Sequence, residues 1–193
     1  MNTPAVHDLA ETVAAAAPLR AVAPDAADRA VEAELQEHFR QVMAGVATPV
    51  SVVTSMGDGQ PYGTTVSAFA SLSMTPPMVL VSLDRGSDLL AVVRQTQRFG
   101  VNVLAADQSQ LALDFAKKGG TGKFSGVEWN VARDLPRLPG APGWLACEVS
   151  GLVDGGDHVV ALGTVVQAET TEGAPLVYHG RVFGTHAALE SRS

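Results

Sequence analysis

Apolar positions change spacing along the chain, and the changes mark its elements. "VEAELQEHFRQVM" sets Val31, Leu35, Phe39 and Val42 four, four and three apart, one stripe of a helix that Gly45 ends. "PVSVVTSM" and "PYGTTVSAF" flank "GDGQ", the signature of a hairpin. Alternation along the second strand puts Thr65, Ser67 and Phe69 on one face and Thr64, Val66 and Ala68 on the other. "PMVLVSL" is a strand, "SDLLAVVRQTQRF" a helix with Leu89, Val92 and Val93 on one side, and "GVNVLA" a strand. "DQSQLALDFAKK" predicts a helix opened by Asp107, with Leu111 and Phe115 four apart. A glycine-rich loop then runs to about residue 142. "WLACEVSGLV" and "HVVALGTVVQAE" read as long strands paired around Asp154-Gly155-Gly156-Asp157, and "PLVYH" and "RVF" close the chain.

Strands outnumber helices, and hairpins join neighbours. This predicts a mostly β fold with peripheral helices, an antiparallel barrel rather than a doubly wound parallel sheet. Residues 1–30 hold eleven alanines, three prolines and almost no large apolar side chain, so they read as a mobile arm before one domain over 31–193.

Composition narrows the function. Net charge is -7, which argues against a broad nucleic-acid or anionic-lipid surface. No apolar run approaches a membrane span, and the acidic N-terminus is no secretory signal, so a cytoplasmic protein is expected. The one cysteine, Cys147, sits in an alternating run and reads as a small buried strand residue.

Several motifs fail. "GGTGKF" resembles a triphosphate-binding loop only superficially, because Lys117 stands where its first glycine belongs and Phe124 follows the lysine. Gly57, Gly59 and Gly63 miss the dinucleotide spacing, and there is no Gly-x-Ser-x-Gly elbow. The five histidines form no pair at metal-ligand spacing, so no metal is expected.

Three features remain. Thr64, Thr65, Ser67, Ser71 and Ser73 make a stretch of small hydroxyls suited to backbone approach by a flat polar ligand, or to a plain edge strand. The only lysines, Lys117, Lys118 and Lys123, crowd into "KKGGTGK", where glycine amides and ammonium groups favour an anion or merely a solvated loop. His158 follows Asp157 at a hairpin mouth, where turn geometry asks for glycine and aspartate but not histidine.

In order, "TTVSAFASLSMTPPMVLVSL", "FGVNVLAADQSQLALDFA", "KFSGVEW" and "GDHVVALGTVV" resemble the flavin reductase-like proteins of split-barrel fold, reductase components of two-component flavin monooxygenases. The likeness spans about residues 36 to 184. It implies an antiparallel split β-barrel and a homodimer. It also implies reduction of FMN or FAD by NADH or NADPH, with reduced flavin passing to a partner oxygenase. By position, Thr65, Val66, Ser67, Ala68 and Ser71 would meet the isoalloxazine and ribityl chain. Arg85 and Ser87 would lie near the flavin phosphate at a helix start, with Lys118 as a further cofactor contact. Asn102, Leu104, Gln108 and Phe115 would line the rest, and His158 would lie over the stacked nicotinamide, its ring fixed by Asp157. Many relatives carry two serines where this chain has Ser67-Ala68, which removes one hydroxyl contact. A flavin carrier without catalysis on the same fold is the competing reading; only the reductase needs a nicotinamide site.

Overall fold

A computed structural model describes residues 25–189. The expected arm over 1–30 falls almost wholly outside them, as does His7. The described residues fall into two compact units, divided between Arg40 and Gln41. Helix α1, Ala26–Ala44, begins five residues earlier than the apolar stripe and ends, as expected, before Gly45. None of its residues is buried, and Val31, Leu35, Phe39 and Val42 are all more than 60% exposed in the single chain.

The second unit is built on antiparallel strands. In chain order they are β1 (Thr48–Pro49), β2 (Ser51–Gly57), β3 (Gln60–Val66), β4 (Phe69–Met74), β5 (Pro77–Asp84) and β6 (Arg98–Val103). Then come β7 (Asn130–Ala132), β8 (Leu135–Arg137), β9 (Gly143–Gly155), β10 (His158–Thr170), β11 (Leu176–His179) and β12 (Val182–Thr185). Seven of them form one sheet in the order β3-β2-β6-β9-β10-β5-β4, flanked by β1-β11-β12 and by the small pair β7-β8. The ladder does not close, for β3 and β4 are its two edges although only Ser67 and Ala68 separate them in sequence. That is the split in the barrel.

Local chemistry explains the turns. Asp58 and Gly59 take φ of 49° and 72° between β2 and β3, the left-handed pair a two-residue hairpin needs. Gly156, at φ 64°, opens the turn between β9 and β10. One expectation is corrected here. The strand begun at Gln60 ends at Val66, and Phe69 starts β4, which pairs with β5 from Phe69 opposite Val81. The predicted two-face alternation therefore does not run on to Phe69.

Two helices brace the sheet. Helix α2, Asp88–Thr96, is capped by the Ser87 hydroxyl, which accepts from the Leu90 amide, and it buries Leu89, Leu90, Val92 and Val93. Leu89, Leu90 and Val93 join Val53, Val81, Leu83, Phe99 and Cys147 in the main core. Helix α3, Ser109–Ala116, starts two residues later than predicted, with Gln108 and not Asp107 as its first cap. Gln108 accepts from the Ala105 amide and donates to the Pro139 carbonyl, so it ties two loops rather than capping the helix with its side chain. A second core holds Val50, Val52, Leu104, Phe115, Phe124 and Leu138. Each large apolar side chain buried this way contributes about 1.5–3 kcal/mol. No described helix is long and apolar enough to cross a membrane.

Candidate functional site

Six of the expected site residues lie on two hollows and one hairpin: Ser87 and Lys118 on one hollow, Thr65 and Ser67 on the other, and Arg85 and His158 at the hairpin. β3 is sutured to α3 along its length. The Thr65 hydroxyl donates to the Ala112 carbonyl at 2.7 Å, and Thr64 donates to the Phe115 carbonyl at 3.5 Å. The Lys123 ammonium donates to the carbonyls of Gly63 at 3.2 Å and Phe115 at 3.0 Å. Gly63 permits this approach, since a Cβ there would sit 2.8 Å from the Phe115 ring. Burial pushes the Lys123 ammonium below its ordinary pKa, while Asp88 pulls the other way.

Beside this suture lies a polar cleft of about 480 Å³. Its walls include Thr64 of β3, Ser87 at the start of α2, and all three lysines. Lysine crowding in the sequence thus becomes lysine crowding around one cleft. The three differ, however. Lys117 pairs with Asp114 at 2.7 Å, Lys123 is held by carbonyls, and Lys118 is exposed and makes no ion pair among the described residues. Asp84 and Asp88 also face the cleft and oppose an anion, a feature the sequence reading missed.

On the other side of α3, sharing Ala116 with the cleft, is a more apolar hollow of about 500 Å³. Thr65 and Ser67 line it together with Ala112, Leu113, Tyr178 and Phe183. Tyr178 and Phe183 pack ring against ring at 5.3 Å. They come from the last two strands, so no local pattern announced them. This donor set suits a flavin: an apolar aromatic-walled hollow for a flat ring, and ammonium groups with a helix N-terminus for a phosphate.

The remaining expected residues divide. Ser71 is exposed on edge strand β4, and the Ala68 carbonyl accepts from the Ser82 amide. Val66 is buried in the main core. Asn102, Leu104 and Phe115 are wholly buried. Asn102 spends its amide on Val52 and Thr54 and accepts from the Leu138 amide, an internally satisfied cross-strand staple behind the hollows. Neither Asn102 nor Leu104 lines either hollow. Arg85 follows the last residue of β5, but its side chain turns to the β9–β10 hairpin instead of the cleft. It ion-pairs with Asp154 at 2.9 Å and donates to the carbonyls of Gly156 and His158.

His158 begins β10, opposite Asp84 of β5. Its Nδ1 lies 2.7 Å from Asp157 Oδ1, and its side chain is partly exposed. The hydrogen bond to His158 holds the Asp157 carboxyl below its ordinary pKa, aided by the charge of the imidazole and of Arg85. The Arg85 amide donates to the Asp157 carbonyl at 2.9 Å, so this turn is stitched to the loop that walls the cleft. No group of three or more metal-ligating side chains occurs among the described residues.

Residues 43–187 match the model of the flavin reductase like domain family. The chain is 40% identical to the reductase component of a 4-nitrophenol 4-monooxygenase/4-nitrocatechol 2-monooxygenase from Rhodococcus opacus, over 76% of this chain and 78% of that one. It is 33% identical to an NADH-dependent FMN reductase from Agrobacterium fabrum, over 78% and 86%. Among solved structures, nitrilotriacetate monooxygenase component B from Mycobacterium thermoresistibile superposes with a TM-score of 0.76 at 29% identity, over 81% of this chain and 89% of that one. The NADH:FAD oxidoreductase of Streptomyces globisporus, solved with NAD and FAD fragments, gives 0.75 at 28%, over 83% and 96%.

Proposed function

The chain belongs to the flavin reductase like family, and from that premise we propose that it oxidises reduced nicotinamide, NADH in the first place, to reduce FMN or FAD for a separate flavin-dependent oxygenase. The observation that carries this reading is the stitch between cleft and hairpin. The Arg85 amide and guanidinium bind three successive carbonyls, Gly156, Asp157 and His158, while the neighbouring Asp84, Gly86 and Ser87 wall the cleft. A phosphate-compatible cleft and an oriented imidazole therefore share one end of the sheet.

When bound, flavin supplies a two-electron acceptor for the hydride of reduced nicotinamide. The chain's part is binding and orientation. Lys118 and the capped start of α2 would hold the flavin phosphate, and the hollow lined by Thr65 and Ser67 would hold the ring. In the tautomer that donates from Nδ1 to Asp157, Nε2 of His158 would be left to accept from the carboxamide of nicotinamide. Val66, Asn102, Leu104, Gln108 and Phe115 act from behind as the scaffold that fixes β3 and α3.

The protein works as a twofold dimer in this reading. Leu72 and Met74 on edge strand β4 and Val182 on β12 are exposed apolar side chains suited to a copy of the same surface. A cytoplasmic site of action follows from the need for reduced nicotinamide. The test is anaerobic: flavin bound by the protein should bleach on addition of one equivalent of NADH. Tight flavin binding with no bleaching by either nicotinamide leaves a carrier, and the proposal fails.

A further inference from the structure

Arg85 stands where family resemblance expects a phosphate contact, yet its guanidinium is fully engaged elsewhere. Nε and Nη2 donate to the Gly156 carbonyl at 3.3 and 3.2 Å, and Nη2 reaches the His158 carbonyl at 3.4 Å. Nη1 lies 2.9 Å from the Asp154 carboxylate. The main-chain amide of the same residue takes the Asp157 carbonyl. One residue thus satisfies every carbonyl of the Gly156-Asp157-His158 turn and closes on the strand before it. β9 ends here in the exposed residues Val153, Asp154 and Gly155, and Gly155 and Gly156 have nothing within 3.9 Å of an added Cβ. Without the guanidinium this glycine-rich turn keeps its ladder, the Arg85 amide and the Asp157–His158 contact, none of which engages the Asp154 carboxylate.

We propose that Arg85 is a positioning residue for His158: it locks the hairpin turn against the loop after β5, so that the imidazole is preset for the second substrate, nicotinamide, and it makes no contact with the flavin phosphate. The proposal rests on the reading of His158 as the nicotinamide-side residue. The planar fork matters, because an ammonium is a point donor and does not span the Gly156 carbonyl, the His158 carbonyl and the Asp154 carboxylate together. Ser87, two residues on, caps α2 by accepting from the Leu90 amide, a bond in which the Arg85 side chain takes no part.

The test uses the full chain with Arg85→Ala, Arg85→Lys and Asp154→Asn, each alone and with His158→Ala, measuring flavin Kd and the KM for NADH. Arg85→Ala should raise the NADH KM about fivefold and leave flavin Kd within about twofold, and Arg85→Lys should not restore it. In the His158→Ala background the same change should add less than about twofold, since two residues acting through one imidazole do not add. Should Arg85→Ala not fold, Asp154→Asn, which removes one partner of the fork, is expected to raise the NADH KM about twofold. A rise in flavin Kd matching the rise in KM would overturn the proposal, as would a full fivefold effect persisting without His158. If His158→Ala alone changes neither the NADH KM nor kcat, the reading of His158 fails first, and that result is distinct from either.

Discussion

Asp157 Oδ1 sits 2.7 Å from Nδ1 of His158, its neighbour in sequence, at the mouth of the β9–β10 hairpin. The pair fixes which ring nitrogen meets the carboxylate and leaves Nε2 without a part in that contact. His158→Ala should raise the nicotinamide KM or lower kcat by about tenfold, equivalent to ~1.4 kcal/mol of lost positioning. Flavin affinity should change little. Equal damage to flavin binding and to turnover would make His158 a flavin contact or a structural residue.

Asp157 gives the same site an acid limit. Its carboxyl titrates below the ordinary aspartate range because His158 and Arg85 favour the charged form. The stability drawn from this charge is therefore present above the unfolded pKa and lost as pH falls through the lower folded one. Followed by NMR, the Asp157 carboxyl should titrate below the ordinary aspartate value, and His158→Ala should move it back up toward that value. Asp157→Ala should raise the NADH KM. An Asp157 titration that His158→Ala leaves unchanged would argue that the pair does not hold the ring.

The three lysines should separate. Lys118→Gln should weaken binding of the phosphate-bearing cofactor by under about 1 kcal/mol, as expected of an exposed charge. That loss should shrink as salt rises, given a Debye length of ~8 Å at physiological ionic strength. Lys117→Gln, which breaks only an exposed pair with Asp114, should do less. Lys123→Gln should lower thermal stability, because it removes the donor shared by Gly63 and Phe115. Comparing FMN with riboflavin, which lacks the phosphate, is the check; equal losses for both flavins in Lys118→Gln would leave the loop without a phosphate role.

Gly163 tests the core. A Cβ there would lie 2.4 Å from Phe99 Cζ and 3.0 Å from Cys147 Cβ, both in the main core. Gly163→Ala should destabilise by about 1–3 kcal/mol, read by denaturant unfolding. No loss of stability would mean that the Phe99 ring has room to move aside.

Much of this was legible in the sequence, and what was not has a physical cause. The Asp58-Gly59 hairpin and the long β9–β10 pair carried turn residues and alternation strong enough to read directly. β7 and β8 were hidden in the expected loop because each is three residues long and their turn, Arg133-Asp134, takes positive φ without glycine. β4 was lost because Ser67 and Ala68 break the ladder while the small-residue composition runs on unchanged. At the site, Lys118 and Ser87 line the cleft and Thr65 and Ser67 the apolar hollow, four positions that the family resemblance assigns to cofactor binding. The direction of Arg85 was not readable, since it depends on carbonyls some seventy residues away. Tyr178 and Phe183 reach the apolar hollow only through the tertiary pairing of the last strands.

The most direct measurement is consumption of NADH by the purified chain, followed at the reduced-nicotinamide absorbance band with FMN, with FAD and with no flavin. The account predicts consumption that depends on flavin, saturates with both substrates, and is negligible when flavin is withheld. Saturable flavin binding with no flavin-dependent oxidation of NADH or NADPH would contradict it and leave a binding protein on a reductase fold.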